Sequence, residues 1–377
     1  MESVMRNVLL ILCSLSAVAG AQEGLGSRVS EQPLFETSVI FAADSGRFRR
    51  NAYPTVAALP DGRLFLTFSA YDQDKPRIVG SFSKDGGKSW SAPEDLINTP
   101  GFGDYDPNIV LTNEEIQVYS TSTPIPQKQI EYSETWKTAQ RLKGGTWTKP
   151  SRMPAHHKYE VGKIHVGLRL SDGTLVMPYS WDIPAEEGRP SSTEGGMKLK
   201  SGALLSRDNG ATWRPGGDMS AEPPRASDFA AGGVDEPAMA LLENGDLFAL
   251  LRTPDVWLYE CRSRDGGKTW AFPKPSPLQA HNTPAALWRL RGSKEVLVVW
   301  NDSPRNRWPL TVAISEDNCK TWSKPRIIAD SAELQASYPT ATQAAGGLLI
   351  AIWQQDLPQR KGRQIHIARF NRSWVLQ

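Results

Sequence analysis

The sequence predicts an all-β fold, a six-bladed β-propeller of four-stranded blades, and three observations carry that expectation. A pattern Ser-x-Asp-x-Gly-x-x-Trp recurs along the chain. A second unit recurs beside it, a Pro followed eight residues later by a Gly turn and an apolar run. The 31 Gly, 28 Pro and 13 Trp among 377 residues suit short strands and tight turns rather than helices.

The first repeat reads SKDGGKSW at Ser83–Trp90, SRDNGATW at Ser206–Trp213 and SRDGGKTW at Ser263–Trp270. A fourth copy, SEDNCKTW at Ser315–Trp322, carries Cys319 in the Gly position, and KGGTW ending at Trp147 is a degenerate fifth. Asp-Gly, Asn-Gly and Asp-Asn pairs tolerate the positive φ of tight hairpin turns. The Asp carboxylate can accept from the turn's own backbone, and the Trp can bury a large ring beneath it. These aspartates therefore read as structural.

The second repeat starts at Tyr53-Pro54 (Gly62), Glu236-Pro237 (Gly245) and Tyr338-Pro339 (Gly347), with weaker copies at Asp106-Pro107, His165 and Thr283-Pro284. Each copy supplies a blade's first two strands, and the third and fourth strands flank the Ser-x-Asp turn. Leu34–Ala43 alternates well enough to be a strand that completes the last blade and closes the ring.

The N-terminus reads as a secretory signal over residues 1–21. Arg6 gives the positive n-region, Val8–Val18 is an uncharged apolar stretch, and Ala17-Val18-Ala19 and Ala19-Gly20-Ala21 offer small-x-small cleavage sites. The remainder, 22–377, is expected to be a single propeller domain, secreted or periplasmic and monomeric, with no membrane association after cleavage. Lys+Arg at 43 against Asp+Glu at 41 argues against a nucleic-acid partner, which would need a basic surplus. Cys261 and Cys319, the two cysteines outside the signal, exclude a disulfide framework and leave one bridge or two buried thiols open. No His/Cys/Asp spacing resembles a zinc site, and no cofactor is called for.

In a propeller, the residues before each Pro and those ending each second strand line one central mouth. They include Arg50, Tyr53, Asp72 and Asp74 in blade one and Asp106 in blade two. Blade three adds His165, blade four Asp235, Glu236 and Arg252. Blade five adds His281, Asn282 and Arg307, and blade six Tyr338. Such a concentration of polar groups favours a site for an anionic ligand, which paired arginines can hold through bidentate hydrogen bonds. The polar, Gly/Ser/Pro-rich stretch Asp182–Lys200 reads as a loop near that mouth.

The Ser-x-Asp repeats resemble the Asp boxes of the sialidase (neuraminidase) superfamily of six-bladed propellers, over nearly all of the chain beyond the signal. Four further positions fit that family's pattern. Glu236 opens blade four, with Arg252 seven residues past its turn Gly245. Arg307 lies eight residues before Ser315, and Tyr338 opens the last blade nine residues before Gly347. One position departs: where the family carries an arginine two residues before the first Pro, this chain has Ala52, with Arg50 two residues earlier.

The resemblance implies an exo-acting, retaining glycoside hydrolase for sialylated or other acidic glycans, with Tyr338 as nucleophile. A phenol of ordinary pKa ~10 needs a base, which Glu236 would supply. The acid is expected on the loop after blade one's second strand, at Asp74, with Asp72 and Asp106 behind it. Arg252, Arg307, Arg50, Asp106, His165 and His281 are the expected substrate-binding residues. Two other readings stay open. One is a polysaccharide lyase acting on uronates through His165, Tyr338 and Arg252. The other is a non-catalytic glycan-binding propeller, should Ala52 mark a decayed site.

Overall fold

In a computed structural model, residues 32–43, 48–126, 131–189, 198–220, 232–330 and 334–377 are described. They all belong to the compact unit Gln32–Gln377. The expected signal, 1–21, lies outside them, as do 190–197 of the expected loop Asp182–Lys200. That stretch begins not as loop but as a one-turn helix, Ile183–Glu186: Asp182 accepts from the Ala185 N–H, and Pro184 suits the first turn.

The described chain is all-β and folds as a propeller. Its strands form mainly antiparallel sheets in which most neighbours follow one another in sequence. Strands Arg50–Ala58, Leu64–Asp72, Lys75–Ser83 and Glu94–Ile97 make one four-stranded unit. Asp235–Leu241, Leu247–Arg252, Trp257–Ser263 and Lys274–Gln279 make another. The largest sheet has eight strands, in which two such units meet through the parallel pair Arg50–Arg363. Its outermost strand is Phe35–Phe41, which pairs antiparallel with Arg363–Phe370, so the N-terminal strand completes the C-terminal unit as its alternation predicts.

The core lies between blades, not within one. One cluster packs Ala57 and Phe65 against Ile109 and Val118, and the next packs Val110 and Tyr119 against Leu175 and Met177. Further round, Val176 meets Leu247, Leu250 meets Val298, and Leu297 meets Leu349. Val56 and Leu66 finally pack on Ile350 and Ile365, which joins the last unit to the first. The inner strands of the described residues thus bury both faces between neighbouring units.

The Ser-x-Asp boxes fall where expected, each after a third strand. In the first, Ser83 Oγ donates to Asp85 Oδ1 and accepts from the Gly87 N–H, while Asp85 accepts from the Ser89 N–H and hydroxyl. These bonds pull Asp85 down to about 2. Trp90, Trp213, Trp270 and Trp322 each pack on an inter-blade cluster, and Trp147 of the degenerate copy does so too. In the fourth box, Cys319 keeps the left-handed turn at φ 60°. Its thiol is buried among apolar side chains, and Cys261 is buried in the neighbouring cluster; both are free. The hairpin glycines Gly62 and Gly245 have φ 89° and 87°. A Cβ there would meet nothing within 4 Å, so handedness rather than crowding demands glycine.

Candidate functional site

Six residues in or just before the inner strands lie in the left-handed region: Tyr53, Asp106, His165, Glu236 and Tyr338 within strands, and Asn282 in the bend before Ala286–Arg289, with φ between 45° and 80°. None is glycine, so each holds strained backbone. In four blades the strand register shifts at this point, between Ala52 and Thr55, Tyr105 and Asn108, Asp235 and Ala238, and Ser337 and Thr340. A bulge there re-aims a side chain that regular alternation would send elsewhere.

Arg252, at the end of its strand, ties three of these residues together. Its Nη1 donates to Glu236 Oε2 at 2.7 Å and to Tyr338 Oη at 3.2 Å, and its Nε donates to Asn282 Oδ1 at 2.8 Å. Arg307 Nη2 donates to the Asn282 carbonyl at 2.6 Å, and its guanidinium lies 5.8 Å from the centre of the Tyr338 ring. Burial first, and then the adjacent charge of Arg252, lower the Arg307 pKa. The Tyr53 ring meets Tyr338 edge-on at 4.8 Å. Gln354 braces this corner by accepting from the Tyr53 N–H and donating to Ser337 Oγ.

Three carboxylates share the site. Burial, then the charges of Glu236 and Asp235, push Asp106 up to about 8; burial and Glu236 push Asp235 to about 7. The cluster therefore keeps a proton near neutral pH. Burial first and Glu236 second hold the Tyr338 phenol neutral, well above the ordinary range. His165 is buried, with no hydrogen-bond partner for Nε2 among the described residues, and burial drives it down to about 3.

The structure thus brings Glu236, Arg252, Arg307 and Tyr338 together, with Asp106 beside them. Asp74 instead stands exposed in the turn between strands Leu64–Asp72 and Lys75–Ser83, and Asp72 pairs with Arg77. Arg50 lays its guanidinium over the Tyr71 ring at 4.6 Å, and Ala52 is wholly buried. A cavity of 530 Å³ opens beside the ring and is lined by Arg50, His281, Asn282, Arg305, Arg307 and Arg363, among others. Burial, more than the nearby Arg307 charge, lowers the His281 pKa. Arg363 was not legible in the sequence: it belongs to no repeat slot, and its one signal is register, since it faces Asp356 across a hairpin and pairs with it at 2.5 Å.

A family model described as a BNR repeat-like domain matches residues 105–351. The chain belongs to that family. No curated protein sequence matches it. Among solved structures, this BNR repeat-like chain is similar to a protein of unknown function from Dyadobacter fermentans, at 18% identity and a TM-score of 0.72, over 89% of this chain and 98% of that one. It is similar to a Hadza microbial sialidase at 16% identity and TM-score 0.74, over 90% and 69%. It is also similar to the intramolecular trans-sialidase of Ruminococcus gnavus at 14% identity and TM-score 0.69, over 90% and 98%. At these identities the likeness shows the propeller fold and nothing of activity. No helix among the described residues is long and apolar enough to cross a membrane.

Proposed function

We propose that the protein is an exported, retaining exo-glycoside hydrolase that acts on sialylated or other acidic glycans. The observation that carries this reading is the shared Arg252 Nη1, which donates to Tyr338 Oη and to Glu236 at once. One cation thereby lowers the cost of a developing phenolate and orients the group that takes its proton.

In the first half-reaction Tyr338 Oη bonds to the anomeric carbon while the bond to the leaving oxygen breaks. The phenolic proton passes to Glu236, and Asp106 gives its proton to the leaving oxygen. In the second, water gives a proton to the Asp106 carboxylate and bonds to the anomeric carbon. The bond to Tyr338 breaks, and the phenolate recovers its proton from Glu236. Asp106 suits the acid role better than exposed Asp74 because it stays largely protonated at neutral pH. A neutral tyrosine also suits a substrate whose own carboxylate would repel an attacking carboxylate. Arg307 and Arg252, crowded together, favour that anion.

The lyase reading is weaker, since a His165 held near 3 is too weak a base to take a carbon-bound proton. The test is turnover of fluorogenic sialosides and uronides by the wild type and by Tyr338→Phe. Release by the wild type and its loss in a folded variant support the mechanism. Equal release by both removes Tyr338 from the chemistry, and ligand binding without turnover supports the non-catalytic reading.

A further inference from the structure

We infer that Arg363, together with Arg50, anchors an oxyanion of the sugar ligand, a carboxylate or a sulfate, in the cavity beside Tyr338. The inference rests on the glycan-site reading but not on turnover. It starts from charge. Arg50, Arg305, Arg307 and Arg363 line the cavity, and the one carboxylate among its lining residues is Asp356. The wall therefore carries a clear positive surplus, which an anionic ligand would balance.

Geometry then singles out Arg363. It opens strand Arg363–Phe370 and is paired in register with Arg50 across the junction of the last and first units. That places two guanidinium-bearing residues side by side, while Ala52 is buried inside the blade. Asp356 holds the Arg363 Nε, with no hydrogen bond to its terminal nitrogens among the described residues. One edge of the fork is thus fixed, and the other is left for a ligand. The Arg363 charge lies near enough to Tyr53 and Tyr71 to oppose the rise of both phenols, and Arg50, its register partner, covers the Tyr71 ring. Arg307 faces Tyr338 from the other end of the cavity. An oxyanion between the two would sit in the cavity that Arg307 shares with the edge of the site.

The competing explanation is an ion pair that merely closes a strand end. The experiment separates the two by calorimetric titration of the mature protein with N-acetylneuraminic acid, glucuronic acid and galactose 6-sulfate, with galactose as the neutral control. The proteins are the wild type, Arg363→Ala, Arg363→Lys and Asp356→Asn, each checked for folding by circular dichroism. We expect the acids to bind and galactose not to, with affinity falling as salt rises. Arg363→Ala should bind about 10- to 100-fold more weakly, the range for a lost charge-assisted hydrogen bond. Arg363→Lys should recover part of the loss, and should Arg363→Ala not fold, it carries the comparison. Asp356→Asn, which releases the competing carboxylate, should bind at least as tightly as the wild type.

Preference for the sulfated sugar over both carboxylic acids would assign the oxyanion as sulfate, and the reverse as carboxylate. Unchanged binding in a folded Arg363 variant overturns the inference. So does equal weakening by Asp356→Asn, or failure of the wild type to prefer the acids. Absence of glycoside turnover with the expected binding pattern would sink the hydrolase mechanism and leave the anchor standing. Turnover indifferent to Arg363 would do the opposite.

Discussion

Replacing Asp106 by Asn tests the mechanism at its most exposed step. From an ordinary 3.8, the site lifts this carboxyl to about 8, which amounts to ~6 kcal/mol held against the ionised form. The group is then about 90% protonated at pH 7 and about 10% at pH 9. If it is the acid, kcat/KM should fall about tenfold between those values, along a limb centred near 8. Asn keeps the shape and carries no such proton. Asp106→Asn should lose roughly 10²- to 10⁴-fold in kcat/KM on an alkyl glycoside, lose the alkaline limb, and lose far less on an aryl glycoside whose leaving group needs no protonation. The same substitution makes a stability prediction of opposite sign. The folded-state pKa lies above the unfolded one, so the contribution of the protonated group is complete below pH ~4 and is lost as pH rises through 8. By pH 7 that loss reaches ~4 kcal/mol, and Asn escapes it. Tm should therefore rise in the variant, and rise more at pH 8 than at pH 5. A variant with wild-type kcat/KM on both glycosides and an unchanged alkaline limb would refute the assignment.

Glu236→Gln should keep a hydrogen bond to Arg252 while lacking the base, so turnover should fall about 10²-fold or more with binding of acidic sugars retained; steady-state kinetics beside calorimetry checks both. Glu236→Ala should instead destabilise by ~3–5 kcal/mol in denaturant titrations, because it strands a buried guanidinium. In the Ser-x-Asp boxes, Asp85→Ala should cost about 1 kcal/mol, a Tm drop of roughly 2 °C. Asp85, Asp208 and Asp317 all titrate near 2 when folded, so their contribution is present above pH ~4 and lost as pH falls through 2. The Asp85 deficit should accordingly shrink in thermal scans run below pH 3, and a deficit that grew there would contradict the hydrogen-bond account.

The propeller was legible because its turns are chemically demanding. A left-handed turn glycine and an Asp that must cap its own hairpin leave marks at fixed spacing, and each mark sits at the end of a strand. Even Phe35–Phe41 was found from its alternation, although it pairs as a largely exposed edge strand against Arg363–Phe370. The site was legible in part. Glu236, Arg252, Arg307 and Tyr338 occupy repeat slots, so position along the chain predicted position in space. Arg363 and its partner Asp356 occupy none; they meet only because a hairpin register sets them opposite each other, and register is fixed by the fold. Asp235 was seen, but its elevated pKa depends on burial and on the charge of Glu236, neither of which a sequence records.

On the proposed mechanism, the left-handed residues account for Asp106 rather than Asp74 as the acid. Asp106, Glu236 and Tyr338 each precede a proline, in equivalent slots. Proline disfavours helical backbone in the residue before it, and that residue here takes a positive φ inside a bulge instead. The strain costs on the order of 1 kcal/mol or more per residue, and it persists because the rest of each blade is buried on both faces and fixes the strand path. Six such positions around one axis are hard to reconcile with a purely structural role, for which glycine would serve with less strain. Retaining Tyr, Asp, His, Glu and Asn there instead puts polar side chains into one mouth at the expense of stability, as expected of a site kept for its chemistry. Asp74 sits in an exposed hairpin turn, away from the buried carboxylates Asp106, Asp235 and Glu236. The repeat slot and the acidity required by the reaction select the same residue, and they do so independently.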